Sequence, residues 1–279
     1  MNKEDIKKEI ITAIKKVKKE NPMAPSITNT VTINFVANTQ LAAGGSAAMV
    51  YLPDEGETVA TIANAVYINV GTLFPIYEKT LPRTAKKLQE LGKNWVLDPV
   101  AVGIGELRGK LLSDFKENRP PIIRGNASEI IALANLWNLL ENQEKSKVRG
   151  VDSTETVSEA KRAAIAICKY TKGAVSVSGE VDLITDGNYL AYSHGGSKLF
   201  SKITGAGCAL GGLSAVYACC ASPFIAALSA CQAFNFSGSN AEKIAKGPAS
   251  FQTAFLDVLY SATAEEIANN NFDFEKIEN

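Results

Sequence analysis

The sequence predicts an α/β fold of three layers, with helices on both faces of a mostly parallel central sheet. Strand-like and helix-like segments alternate through the middle of the chain. Parallel strands need that order, because each pair must be joined by a crossover long enough to hold a helix. From Cys208 onward the chain reads as nearly all helical, which supplies cover for a sheet face. Hydrophobic residues make up 46% and charged residues 21% of 279 residues, a balance that suits one large buried core. No repeat, low-complexity stretch or linker divides the chain, so residues 1–279 are read as a single domain.

Taken in order, residues 3–20 place Ile6, Ile10, Ile11, Ile14 and Val17 on one face among lysines, an amphipathic surface helix ended by Pro22 and Pro25. Ser26 to Asn29 is a strand end. In Val31–Asn38 the spacing of Val31, Phe35 and Leu41 suits a helix, while the β-branched residues suit a strand equally. Gly44-Gly45-Ser46 closes that segment, and Ala48–Tyr51 reads as a buried strand.

Ala65–Val70 is a strand, Pro75–Leu91 a helix and Trp95–Pro99 a strand that ends in a carboxylate. Glu106–Phe115 is helical, Pro121–Arg124 is a short strand, and Gly125-Asn126 opens another helix. A polar connection, Glu141–Thr154, leads to a helix over Val157–Tyr170 and a strand over Ala174–Ser178. Val181–Thr185 and Tyr189–Ser193 form a hairpin across Asp186-Gly187-Asn188. Pro223 and Gly247-Pro248 break the helical C-terminal third.

Lys plus Arg equals Asp plus Glu at 29 each, so no net field favours nucleic acid or an anionic membrane. The N-terminus is charged rather than signal-like, and no run of about 18 apolar residues offers a membrane span. Five cysteines show no metal-ligand spacing, which fits reduced thiols and a cytoplasmic setting.

Lys198–Gly212 is where chemistry concentrates. Thr204-Gly-Ala-Gly-Cys208 is a glycine-rich turn that feeds the start of a long small-and-apolar helix. Such a junction presents unpaired N–H groups to an anion, commonly a phosphate. Cys208 stands where that anion would sit, although a small buried thiol packing a helix start has the same sequence. Open sheets bind ligands at the carboxyl ends of their strands, and three polar groups fall there: Asp98, Arg124 to Glu129, and Ser178-Gly179-Glu180. Asn126 followed by Glu129 is equally a capping box, and a strand-end Asp equally closes a turn. His194 is the sole histidine, and with no G-x-S-x-G elbow a Ser/His/Asp triad is unsupported. Two carboxylates suit Mg²⁺, Arg124 suits a polyphosphate, and the loop offers donors, the inventory that phosphoryl transfer uses.

On these segments the chain resembles the hydroxyethylthiazole kinases, a ribokinase-like family of thiamine salvage. The likeness runs through Ile27-Thr-Asn29, Asn34-Phe35, Ala37-Asn38, Gly44 to Met49, Asp98-Pro99-Val100, Arg124 to Glu129, Ser178 to Asp182 and Thr204 to Cys208. Cys208 discriminates, since most ribokinase-like relatives carry Asp there. The resemblance implies ATP-dependent phosphorylation of the primary alcohol of 4-methyl-5-(2-hydroxyethyl)thiazole by a homotrimer whose active sites lie between subunits. It implies Met49, Gly205, Asn29 and Ala206 on the substrate side. It also implies Arg124, Ser178, Asn126 and Gly207 on the ATP side, Asp98 and Glu129 on the Mg²⁺ side, and Cys208 as proton acceptor. A helix N-terminus is expected to lower the Cys208 pKa toward neutrality.

This chain departs from the family pattern at Pro25-Ser26 in place of His-Cys, at Ala47-Ala48 in place of Ser-Pro, and at Ala206 in place of Thr. Hydroxymethylpyrimidine kinases are a nearby alternative that Asp at position 208 would have favoured, and a catalytically weak thiazole-binding protein is another. A dinucleotide oxidoreductase needs its glycine turn after the first strand, and Gly205-Ala-Gly207 comes far too late.

Overall fold

A computed structural model describes residues 2–140 and 153–277. Its one sheet has eight strands in sequential order: β1 (Ser26–Ile27), β2 (Ala65–Asn69), β3 (Asn94–Asp98), β4 (Ile122–Asn126), β5 (Ala174–Ser178), β6 (Asp182–Thr185), β7 (Tyr189–Ser193) and β8 (Phe272–Lys276). The first five are parallel and the last three join antiparallel. The predicted α/β fold with a mostly parallel sheet is therefore what the chain adopts.

Sequential order decides which helices cover which face. Parallel crossovers have one hand, so a sheet that grows steadily in one direction lays the helix that leads into each next parallel strand on the same side. The helices α3 (Pro53–Ile62), α4 (Tyr77–Glu90), α5 (Glu106–Asn118), α6 (Ala127–Leu136) and α7 (Ser153–Thr171) do this. Val59, Leu81, Leu111, Ile130 and Ile167 share one core with Val66, Ile68, Leu97, Ile123 and Val175.

The opposite face bears Tyr67, Val96, Ile122 and Ala174, the alternate residues of the same strands. It is covered directly by α8 (Ala206–Ala218) and α9 (Pro223–Ile244), around which α1 (Lys3–Glu20), α2 (Ile33–Ala42), α10 (Pro248–Ser261) and α11 (Ala264–Ala268) pack.

The amphipathic N-terminal helix forms as its pattern predicts. Asn2 and Asp5 cap it reciprocally, and Asn21 ends it in the left-handed region at φ 45°. Ile6, Ile10, Ile14 and Val17 are fully buried, each contributing about 1.5–3 kcal/mol by burial. Ile11 is only partly buried.

The structure corrects the sequence reading in several places. Of the segment Val31–Asn38, residues from Ile33 on are helical, as part of α2, and Val31 lies in the turn before it; Val31 and Leu41 face outward while Phe35, Val36, Thr39 and Gln40 are buried. Ala48–Tyr51 is not a strand; it touches β1 only through a Ser26–Met49 bridge and stays half-exposed. Its extension ends where Pro53 and the Glu55 carboxylate, which accepts from the Tyr51 and Leu52 N–H groups at 3.1 Å each, start α3. That helix was not foreseen. Nor was β8, an edge strand in the expected all-helical third, where Phe272 is buried and Asp273 exposed. The expected polar connection Glu141–Thr154 lies outside the described residues up to 152, and α7 begins at Ser153.

Candidate active site

The carboxyl ends of the parallel strands carry polar side chains that lie side by side because the strands are in register. Asn69 pairs with Asp98 across β2 and β3, and Arg124 with Ser176 across β4 and β5. Asn29 follows β1. The N-terminus of α8 faces this row, and the two enclose a cavity of about 500 Å³. Of the residues singled out by sequence, Asn29, Arg124, Asn126 and Glu129 line it, as do Gly205, Gly207 and Cys208. Met49, Asp98, Ser178 and Ala206 do not.

Two glycines let α8 approach. Gly205 has φ +89°, and a Cβ there would lie 2.7 Å from Thr32. A Cβ on Gly207 would strike the Arg124 guanidinium at 2.7–2.8 Å. The first bond of the helix closes from Ala209 N to Gly205 O at 2.8 Å. The N–H groups of 206–208 precede that bond and, by helix geometry, project from the helix mouth.

Asp98 lies beneath the cavity floor and is fully buried. Its Oδ2 accepts from Tyr67 Oη at 2.7 Å, Asn69 Nδ2 at 3.1 Å and Arg124 Nη1 at 3.4 Å. Burial pushes its carboxyl up to about 6; Arg124 opposes this and Glu129 adds to it. Arg124 donates its other Nη to Ser178 Oγ at 2.8 Å. Burial works against the guanidinium charge, but Asp98, Tyr67 and Glu129 more than offset it and hold the proton more firmly than usual. Asp98 Oδ1 and Arg124 Nε have no hydrogen-bond partner. Buried polar atoms are ordinarily satisfied, so each has bonding capacity left for a ligand or its waters.

Glu129 is both a cap and a cavity wall. Its Oε2 accepts from Asn126 N at 2.8 Å and its Oε1 from Ala101 N at 3.3 Å, while Asn126 Oδ1 accepts from Glu129 N at 2.9 Å. Cys208 Sγ accepts from Asn69 Nδ2 at 3.3 Å and Asn29 Nδ2 at 3.5 Å. Burial pushes the thiol above its ordinary value, with Asp98 pushing the same way; Thr32, Arg124 and Asn29 oppose without prevailing. The expected lowering at the helix N-terminus is thus reversed, because desolvation and a neighbouring carboxylate outweigh the helix end.

His194 bonds Asp273 at 2.8 Å and does not line the cavity. Among the described residues no group of three or more His, Cys, Asp or Glu could hold a metal. The protein therefore offers one or two carboxylates, with Asp98 Oδ1 unpartnered. That donor set fits Mg²⁺ shared with substrate phosphates and water, and does not fit an all-protein cage. Sequence reasoning missed Tyr67, Asn69 and Thr32. The available signal was a polar residue, Asn69, closing an otherwise apolar strand next to the strand of Asp98.

The arrangement of sheet and helices is the ribokinase-like fold. A ribokinase-like superfamily protein from Enterococcus faecalis V583 superposes with TM-score 0.61 at 12% identity, covering 93% of this chain and 94% of that one. Residues 14–265 match the hydroxyethylthiazole kinase family, and the chain belongs to it. It is 47% identical to the hydroxyethylthiazole kinase of Bifidobacterium longum subsp. infantis over 95% of this chain and 90% of that protein. The structure of a hydroxyethylthiazole kinase protein from Pyrococcus horikoshii OT3 matches with TM-score 0.84 and 29% identity, covering 97% of this chain and all of that one.

Proposed function

We propose that the chain transfers the γ-phosphoryl group of ATP to the primary hydroxyl of 4-methyl-5-(2-hydroxyethyl)thiazole, making a phosphate ester for thiamine assembly. The observation that carries this reading is the convergence of Cys208, the α8 N-terminus and Arg124 on one cavity in a member of this family. A volume of about 500 Å³ suits a small heteroaromatic alcohol and the reacting phosphates.

Arg124 binds the phosphates, held for the task by Asp98 and Ser178. Asn126 and Gly207 lie on the same side, and the N–H groups at the start of α8 stabilise charge on the transferring oxygens. Asn29 and Gly205 shape the alcohol side. Glu129, with Asp98 below it, would hold Mg²⁺, which supplies neutralising charge to the phosphates when bound. Cys208 takes the hydroxyl proton late in the transfer. The acceptor is the thiolate form, a small fraction of a thiol whose pKa is raised by burial; phosphoryl transfer has a loose transition state and asks little of a base, so that fraction is enough for the role.

Met49 is half-exposed and outside the cavity of its own chain. That placement supports a homotrimer in which Met49 of one protomer completes a neighbour's pocket. No described helix is long and apolar enough to cross a membrane, and the five cysteines are free; both accord with a cytoplasmic enzyme. The test is phosphorylation of a panel of thiazole and pyrimidine alcohols with Mg-ATP. Turnover of the thiazole alcohol is expected; turnover of a pyrimidine alcohol alone, or none, overturns the reading.

A further inference from the structure

Arg108 stands outside the cavity, on the first turn of α5, and its guanidinium is committed to backbone carbonyls. Nε donates to Val70 O at 2.9 Å, and the two Nη groups donate to Gly71 O and Ile104 O. Among the described residues no carboxylate forms an ion pair with it. Burying part of a cation with no counter-ion is costly, and hydrogen bonds to neutral carbonyls would be a weak return if they served stability alone.

The Val70 carbonyl belongs to the same peptide group as the Gly71 N–H. Arg108 holds the oxygen side of that group, and on the other side the Gly71 N–H donates to Asn69 Oδ1 at 2.9 Å. With its oxygen so occupied, the Asn69 amide must aim Nδ2 the other way. There it meets Tyr67 Oη at 2.8 Å, Asp98 Oδ2 at 3.1 Å and Cys208 Sγ at 3.3 Å. A reversed amide would turn its oxygen onto the Asp98 carboxylate. The bond to Ile104 O ties in the loop after β3 as well, whose Ala101 lines the cavity and donates to Glu129.

We infer that Arg108 is a positioning residue for phosphoryl transfer: it fixes the Val70–Gly71 peptide plane and thereby aims the Asn69 amide at Cys208 and Asp98. This rests on the kinase reading above. It concerns chiefly the alcohol side, through Cys208; Arg124 on the phosphate side shares Asp98 Oδ2 with Asn69 but has its shorter bond, at 2.8 Å, to Ser178.

The test compares full-length wild type, Arg108→Gln and Arg108→Lys by melting temperature, steady-state kinetics per folded enzyme, and hydrogen exchange of peptides spanning residues 69–73. Arg108→Gln is expected to lose about 10²-fold in kcat, the usual cost of misplacing a reacting group by about 1 Å. Its KM for ATP should stay within about twofold, and the Gly71 amide should exchange faster than in wild type. Arg108→Lys should recover part of kcat, because one ammonium reaches fewer carbonyls than the planar fork; it carries the same test if the Gln variant does not fold. A lower melting temperature with wild-type kcat per folded molecule, or unchanged exchange at Gly71, overturns the inference. The kinetic arm uses whichever alcohol of the panel is turned over. An enzyme that rejects the thiazole alcohol but still shows both effects of Arg108 removes the substrate assignment and leaves the positioning role standing.

Discussion

Gly207 and Arg124 interlock: a single methyl on Gly207 would lie 2.7 Å from Arg124 Nη1, so α8 and the guanidinium share the space only because the residue is glycine. Gly207→Ala should push Arg124 out of place and act as a phosphate-binding defect. A charged contact is worth about 1.5–3 kcal/mol, which puts the rise in KM for ATP at roughly 10- to 100-fold. KM for the alcohol should change far less. Steady-state kinetics with each substrate varied in turn checks this, and equal rises in both would place Arg124 elsewhere in the mechanism.

Glu129 serves a helix cap and the proposed metal side together, and Glu129→Gln separates the two. The amide oxygen can still accept a backbone N–H, so stability should fall by about 1 kcal/mol or less. The rate constant should drop and its response to Mg²⁺ should weaken. A Mg²⁺ titration of kcat that matched wild type would remove Glu129 from the site.

Cys208 gives a ranking. Losing a general base costs roughly 10²-fold, so Cys208→Ala and Cys208→Ser should both fall by about that much, while Cys208→Asp retains substantial turnover. Because burial pushes the wild-type thiol above its ordinary value, wild-type kcat should climb with pH through the alkaline range, and Cys208→Ala should lack the climb. Were Ser best tolerated and Asp worst, the thiol would be a space-filling group at the helix mouth.

Asp98 makes stability depend on pH in the sense opposite to an exposed surface ion pair. Its folded-state pKa of about 6 lies above the ordinary 3.8, so the folded chain binds this proton more tightly than the unfolded one. The contribution is complete below the ordinary value and is lost as pH rises through about 6. Urea denaturation between pH 4 and 7 should show this decline in the wild type and a flatter dependence in Asp98→Asn. A wild-type stability that rose relative to Asp98→Asn across that window would refute the assignment.

The layers of the fold were legible in the sequence because each strand from β2 to β4 is a short apolar run followed by a helical pattern, and β5 follows the last of those helices or helix pairs. What escaped was local. α3 opens with a polar run, Asp54 to Thr58, with Gly56 in its middle, so nothing in its periodicity announced a helix. β8 has alternating phenylalanines, but they follow a long helical stretch and precede the end of the chain. At the site, Asp98, Arg124, Glu129 and Cys208 could be named from residue type and motif. Asn69 showed only as a polar residue closing an apolar strand, since its place beside Asp98 comes from strand register; the direction of the Cys208 shift could not be named, because it depends on how deeply the thiol is buried.

Coverage of the sheet also sets an order of events during synthesis. The crossover helices cover their own face as they emerge, since each lies between the strands it joins. Tyr67, Val96, Ile122 and Ala174 on the other face must wait for α8 and the helices after it. At about 5–20 residues per second, the stretch from β2 to α8 takes on the order of 10–30 seconds to emerge. For that interval the ribosome carries a half-covered sheet with a bare aromatic and aliphatic surface, and a factor that shields nascent chains has its clearest target there.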